Sequence, residues 1–443
     1  MFIIRKDTLA PLKQVKESDN MRIELPEKVK YIIKKLNNSG FEAYAVGGCV
    51  RDSMLGRIPG DWDITTSAKP EQIKSIFEKT VDTGILHGTV TVLIKQEGFE
   101  VTTYRIDGEY EDARHPSEVT FTANLLEDLK RRDFTINAMA YNDESGLIDV
   151  FEGMKDLSEK KVRCVGTARE RFSEDALRML RAVRFAAQLN FNIEKNTLLS
   201  IKELSENLRK ISAERIQMEL IKLLTSAHPE RFLDVYETGM STIFIPEFNE
   251  LMEIDEDTGK EVVYSLSNVP HDKVLRLTML FHDIERRKNN GEHAEKSART
   301  AKNILKRLKF DNYTIDRVYH LVRWHADVPD LDSTQIRKAI HRIGKEQYPD
   351  LFTVQRAVAM TLKDNEKNKM LHDIDVYEEL YNKILENNDC LDLKSLAVTG
   401  RDLIASGKKP GKEIGEILDQ MLDLVLEHPE YNKKETLLEK WQD

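Results

Sequence analysis

The chain has 443 residues, 40% of them hydrophobic, and a formal net charge of −10. That length allows two to four domains, each with its own buried core. No stretch approaches the roughly 20 apolar residues that span a bilayer. The apolar run in Met1-Phe2-Ile3-Ile4 is too short for a secretory leader, so the expected location is cytoplasmic. Cys49, Cys164 and Cys390 are far apart and form no CxxC pair. This argues against a disulfide scaffold or a cysteine zinc site and fits a reducing compartment.

A charge of −10 taken alone counts against a nucleic-acid binder. The basic residues are clustered, however, at Lys130-Arg131-Arg132, at Lys160, Lys161 and Arg163, and along Arg169, Arg171, Arg178, Arg181 and Arg184. The expectation is a positive cleft on an acidic body, which can still steer an RNA.

In chain order, residues 1–20 read as an extension ahead of Leu25-Pro26. Segment 26–38 is an amphipathic helix with Val29, Ile32, Ile33 and Leu36 on one face. A strand over 42–46 ends at Gly47-Gly48, and Asp61-Trp62-Asp63-Ile64-Thr65 alternates as a strand does. A helix follows over 69–79, then strands over 89–94 and 99–104 joined through Gln96-Glu97-Gly98. Beyond about residue 155 strand signals largely vanish, and helical periodicity recurs over 173–189, 196–207, 213–224, 229–238, 271–286, 293–308, 314–324, 333–343, 349–363, 369–387 and 412–427. The expected class is α+β: an α/β head with a mixed or antiparallel sheet, followed by an all-helical body.

Asp61 and Asp63 stand two apart, so a strand there points both carboxylates to one face. Like charges that close repel, and a cation between them resolves the repulsion. The alternative is a solvated turn with surface carboxylates. Upstream, Gly47-Gly48 lets the backbone approach a phosphate and Arg51 adds positive charge, although an ordinary strand-to-helix turn reads the same way. Arg178, Arg181 and Arg184 recur every three residues and share a helical face, with Asp175 expected on the same side. A salt-bridged exposed helix is the alternative there.

Gly47-Gly48-x-x-Arg51-Asp52 followed by Asp61-Trp62-Asp63-Ile64-Thr65 resembles motif A of the class II tRNA nucleotidyltransferase and bacterial poly(A) polymerase superfamily. Four further segments resemble the same family in order: the flexible loop 105–119 with Arg114, the run Arg131-Arg132-Asp133-Phe134-Thr135-Ile136-Asn137-Ala138, the motif Glu174-Asp175-x-x-Arg178, and Glu214-Arg215-Ile216-x-x-Glu219 supporting the nucleotide-reading helix. The resemblance implies addition of CCA to the 3′ end of tRNA from CTP and ATP, with pyrophosphate released. It implies Mg²⁺ on the catalytic Asp61 and Asp63, and nucleotide contacts from Gly48, Arg51, Arg132, Asp175, Arg178, Arg181 and Arg184. Asp175 and Arg178 would then select the base, while Arg132, Arg181 and Arg184 face the triphosphate. Asp133 and Asn137 serve either as helix-start caps or as nucleotide contacts, and Glu100 is either a third carboxylate or a surface strand residue.

The resemblance divides the chain into an extension (1–20), a catalytic head (21–155), a nucleotide-selecting neck (156–240), an HD-like body (241–345) and a tRNA-binding tail (346–443). The intact loop argues against CC-only addition, and the lack of an arginine-rich segment in 185–200 favours tRNA over poly(A) synthesis. A-only addition stays open, as does monomer against homodimer. Phe281-His282-Asp283-Ile284, with His293, His325 and Asp327 downstream, carries the HD dipeptide of metal-dependent phosphohydrolases but has no histidine over 249–268. It reads as a structural remnant, with a working metal phosphohydrolase site as the alternative. A non-catalytic RNA-binding protein is the remaining reading, and the intact carboxylate pair argues against it.

Overall fold

The computed structural model describes residues 22–108, 119–286 and 293–441. Arg114, most of the 105–119 loop and the 1–20 extension lie outside the described residues. The chain divides into two compact units, Met1–Ile243 and Phe244–Asp443.

The first unit opens with α1 (Glu27–Asn38), which buries Val29, Ile32, Ile33 and Leu36. The following elements are β1 (Ala43–Val46), α2 (Gly48–Met54), β2 (Ile64–Thr66), α3 (Pro70–Ile76), β3 (Thr80–Gly84), β4 (Thr89–Ile94) and β5 (Glu97–Thr103). Then come β6 (Arg105–Asp107), β7 (Val119–Phe121), α4 (Leu125–Lys130), β8 (Ala140–Asn142), β9 (Gly146–Ile148) and α5 (Gly153–Ser158). Seven strands form one mixed sheet in the order β3-β4-β5-β2-β1-β8-β9. Its neighbours are antiparallel except β2 and β5, where Ile64 pairs Val101 in parallel. Tyr44, Val46, Tyr104, Leu125, Leu129, Ala140 and Ile148 form a buried cluster that seats α4 on the sheet.

Several boundaries differ from the sequence reading. Ile94 pairs Glu97, so the β4–β5 link is the two-residue turn Lys95-Gln96, with φ of 51° and 72°. Positive φ at both positions matches the twist of the flanking strands. β2 begins at Ile64, leaving Asp61 and Asp63 in the segment that leads into it. The expected helix over 69–79 stops at Ile76 and is followed by the unforeseen strand β3. β8 and β9 are three residues each, too short to show an alternating pattern.

The helical part of this unit includes α6 (Ala168–Glu174), α7 (Leu177–Leu189), α8 (Lys195–Leu204) and α9 (Ala213–Leu224). The single helix expected over 173–189 is therefore two helices. Asp175 breaks it, with φ −140° and ψ 102°, and its side chain accepts the Leu177 N–H at 3.1 Å. A short acceptor side chain at that place satisfies an otherwise unpaired donor of the new helix.

The second unit is helical among its described residues. Its helices include Pro246–Ile254 and Glu256–Ser265, which lie in a stretch the sequence periodicity left unread, and Lys273–Phe281, His293–Arg307 and Asn312–Trp324. Lys273–Phe281 stops before His282, so the His282-Asp283 pair sits in a turn rather than on the helix expected over 271–286. Tyr348 stacks on Tyr381 at 5.0 Å and shares a 2.7 Å hydroxyl hydrogen bond with Tyr377, forming an aromatic core. No helix among the described residues is long and apolar enough to cross a membrane.

Candidate active site

A cleft of about 510 Å³ in the first unit collects seven arginines and four aspartates: Arg51, Arg131, Arg132, Arg178, Arg181, Arg184 and Arg215 with Asp61, Asp63, Asp133 and Asp175. Gly47, Gly48, Asn137 and Phe185 also line it. Positive charge is in excess locally although the chain is acidic overall. That local field suits a polyphosphate.

The floor begins where β1 ends. Gly47 has φ 83° and ψ −127°, a region open to glycine, and a Cβ there would lie 3.0 Å from Arg132 Nη1. Arg51, on α2, donates from Nη1 to Asn137 Oδ1 at 2.6 Å and forks onto Asp52 at 2.9 Å. Asn137 donates in turn to Asp133 Oδ1 at 3.1 Å. Asn137 is the last residue of a short 3₁₀ turn, Thr135–Asn137, and Asp133 lies two residues before that turn, so their contact is a side-chain bridge rather than helix capping.

Asp61 and Asp63 both line the cleft. Burial raises the Asp63 carboxyl above its ordinary range, repulsion from Asp61 adds to this, and Arg132 opposes it. Glu100 adds further repulsion from β5, one register position before Val101, although its own side chain is exposed and does not line the cleft. The all-oxygen pair, whose repulsion Arg132 offsets only in part, fits a divalent cation. Arg132 is anchored from behind by Asp128, which is 0% exposed and accepts from it at 3.3 Å, from Arg131 Nη2 at 2.8 Å, and from Thr65 at 3.2 Å.

The arginines of α7 face the opposite wall. Arg181 places Nε and Nη2 on Asp133 Oδ2 at 2.9 and 2.7 Å. Burial alone would raise the Asp133 carboxyl, but Arg181 and Asn137 bring it down to about 2. Arg184 pairs with the buried Glu219 of α9 at 3.0 Å, and Arg181 reaches the same carboxylate at 3.6 Å. Burial and the neighbouring Arg181 together outweigh Glu219 and lower the Arg184 guanidinium to about 10. The Phe185 ring has the guanidinium carbons of Arg184, Arg51 and Arg181 at 3.9, 5.1 and 5.4 Å from its centroid. An aromatic face between cations attracts each of them while keeping them apart.

Asp175 and Arg178 share the cleft but are engaged with other partners. Both oxygens of Asp175 accept from Arg215, at 3.2 and 2.8 Å. Arg178 donates to Glu174 at 2.6 Å and to the carbonyls of Arg171 and Arg131 at 3.3 and 3.0 Å. Asp175 sits in the break between α6 and α7, not on the helical face carrying the arginines.

The structure thus brings Gly48, Arg51, Asp61, Asp63, Arg132, Asp133, Asn137, Asp175, Arg178, Arg181 and Arg184 to one cleft. It adds Asp128 behind Arg132, Phe185, and the partner roles of Glu174, Arg215 and Glu219, which spacing alone did not separate from surface charge. Of the other basic clusters, Lys161 pairs with Glu159 at 2.7 Å, Arg163 with Asp156 at 2.8 Å and Arg169 with Glu203 at 3.4 Å, all away from the cleft.

A family model described as "Poly A polymerase head domain" matches residues 43–163, and one described as "Probable RNA and SrmB- binding site of polymerase A" matches 190–252. A tRNA nucleotidyltransferase domain 2 model matches 293–441. The chain is 37% identical over 423 residues to a CCA-adding enzyme of Levilactobacillus brevis, covering 94% of this chain and 99% of that protein. It is likewise 37% identical over 412 residues to a CCA-adding enzyme of Enterococcus faecalis, covering 92% and 93%. Among solved structures, the Bacillus stearothermophilus CCA-adding enzyme in complex with CTP aligns with a TM-score of 0.74 and 31% identity over 93% of this chain and 96% of that one. The chain belongs to the family of CCA-adding nucleotidyltransferases.

Proposed function

We propose that the chain adds CCA to the 3′ end of tRNA from CTP and ATP, with release of pyrophosphate. The observation that carries this reading is the single cleft in which the Asp61–Asp63 pair faces the arginines of α7 and the Asp175–Arg215 pair. Asp61 and Asp63 would hold Mg²⁺, which when bound supplies activation of the attacking hydroxyl and neutralises the departing pyrophosphate. Arg132, Arg181 and Arg184 orient the triphosphate and offset its charge, and Gly48 and Arg51 approach it from the end of β1. Most of the work is positioning and electrostatics, as in other phosphoryl transfers. Asp175 and Arg178 offer an acceptor and a fork of donors to the base edge, so the protein itself does what a template base does.

In this reading 21–155 is the catalytic head and 156–240 the nucleotide-selecting neck, while 241–345 and 346–443 hold the tRNA by shape and phosphate contacts. The test uses tRNA ending before CCA, after C and after CC, with Mg²⁺ and CTP, ATP or both, resolved at single-nucleotide length. Three additions to the shortest substrate, lost in Asp61→Ala and in Asp63→Ala, support CCA addition. One A added to the CC-ended substrate alone would replace it with A-only addition, and no extension of any substrate would overturn the transferase reading.

A further inference from the structure

Asp128 pairs with two arginines of the cleft but does not line it. It lies on α4, whose Leu125 and Leu129 belong to the buried cluster of the sheet, and is itself 0% exposed. Its Oδ1 accepts from Arg131 Nε and Nη2 at 3.0 and 2.8 Å. Its Oδ2 accepts from Arg132 Nη2 at 3.3 Å and from the Thr65 hydroxyl at 3.2 Å. The fork from Arg131 fixes the orientation of the carboxylate, so Oδ2 is a stationary anchor. Thr65 belongs to β2, which begins directly after Asp63. One buried carboxylate thus ties Arg132 to the strand that follows the aspartate pair.

Arg132 has little else to hold it. Asp128 is its one side-chain hydrogen-bond partner among the described residues, and its Nε, although buried, has none. Its Nη1 lies close to Gly47, where a Cβ would come within 3.0 Å. Arg132 lines the same cleft as Asp61 and Asp63, and its charge acts on Asp63. Yet neither aspartate forms an ion pair among the described residues, while Arg132 pairs with Asp128. A guanidinium carries five donors and no acceptor, so two bare carboxylates are its natural partners. Such a pairing would neutralise the charge that a divalent cation needs.

We propose, on the reading that Asp61 and Asp63 hold Mg²⁺, that Asp128 is a positioning residue that holds Arg132 back from the pair. Both carboxylates are then left to the cation and the guanidinium to the triphosphate. Loss of the Asp128 charge releases Arg132, which closes on the free carboxylates and competes with the cation. A residue that only filled space behind α4 would produce no such competition, and no rescue when Arg132 is removed as well.

The test titrates the full chain with Mn²⁺, which like Mg²⁺ suits carboxylate ligands. No nucleotide is present, and the free ion is followed by its electron paramagnetic resonance signal. Binding at the pair is the share that Asp61→Ala abolishes. Asp128→Asn should weaken that share by about tenfold or more, the scale on which losing a residue behind a metal ligand is felt. Asp128→Asn combined with Arg132→Ala should bind as tightly as Arg132→Ala alone. Half-maximal CTP incorporation by Asp128→Asn should likewise move to higher Mg²⁺. Circular dichroism melts establish that each variant is folded, and Asp128→Ser supplies a second uncharged replacement. Unchanged Mn²⁺ affinity in a folded Asp128 variant, or a weakening that persists once Arg132 is also removed, would overturn the proposal while the Asp61-dependent share of the wild type keeps the cation on the pair. Identical Mn²⁺ binding by the wild type and Asp61→Ala would instead remove the cation from the pair, and this role of Asp128 with it.

Discussion

Arg215 forks onto both carboxylate oxygens of Asp175 across 40 positions of sequence, at 3.2 and 2.8 Å, and so fixes an acidic side chain that sits in a break between two helices. Bidentate charge-assisted pairs of this kind hold orientation as well as energy. If Asp175 reads the base edge, Arg215 acts through it as a positioning residue. Arg215→Ala should lower kcat/KM for CTP and ATP by about 100-fold, the scale of a misplaced contact. It should also narrow the discrimination against UTP and GTP. Single-nucleotide incorporation with each of the four triphosphates checks this, and an unchanged selectivity with an unchanged rate would remove Arg215 from the selecting apparatus.

Glu219 is 4% exposed and carries the charge of Arg184 and part of that of Arg181. Without it, the buried Arg184 guanidinium loses its carboxylate partner and faces Arg181 across the Phe185 ring. Glu219→Gln should destabilise the first unit by about 3 kcal/mol, the cost of leaving buried charge unpaired. Denaturant unfolding compared with the wild type measures the loss. A midpoint shift within error would show that the two arginines find water or other acceptors.

Asp133 gives the acid dependence. Its carboxyl titrates at about 2 in the folded state, below the ordinary value of about 4. The folded state therefore binds the proton less readily than the unfolded chain does. The stabilisation is fully present above the ordinary value and is lost as pH falls from about 4 through about 2. Asp133→Asn should cost about 2 kcal/mol at neutral pH, a difference that shrinks as the pH is lowered through that window. Unfolding midpoints of both proteins at neutral and acid pH test it; a difference independent of pH would assign the effect to shape rather than charge.

The carboxylate pair predicts an opposition between stability and activity. Asp63 lies beside Asp61 in the cleft, and its charge is repelled by Asp61 and Glu100. Asp63→Asn removes that repulsion, so the variant should melt higher than the wild type in EDTA while losing nucleotide transfer. Adding Mg²⁺ should raise the melting temperature of the wild type and leave that of the variant nearly unchanged. Equal Mg²⁺ responses would mean that the ion does not sit on this pair.

Much of the site was legible because its residues are local. Val29, Ile32, Ile33 and Leu36 bury the face that helical spacing assigns them. The three arginines of α7 line one cleft, as a period of three on a helix requires. Partner choice was not legible. Arg178 turns to Glu174 and Asp175 to Arg215, because the helix breaks at Asp175 and carries the acid off the arginine face. Phe185 looks like any apolar residue of a buried helix, and only the approach of Arg51 from α2 reveals it as a surface shared by cations. The three-residue strands of the main sheet, β2, β8 and β9, are specified by their neighbours in that sheet more than by their own pattern.

The network of Asp133, Glu219 and Phe185 around Arg181 and Arg184 has a thermodynamic consequence for ligand capture. Long guanidinium side chains ordinarily give up considerable rotational freedom when they grip an anion, about 2 kcal/mol each at most. Here that freedom is surrendered during folding, since both arginines are held by carboxylates and an aromatic face already. The cleft is preorganised, and association with a polyphosphate moves these two groups little. Inorganic triphosphate should therefore occupy the cleft with a favourable enthalpy and little entropic penalty from the protein. Truncating Phe185 to alanine should shift the same binding towards a less favourable entropy even where the affinity changes little.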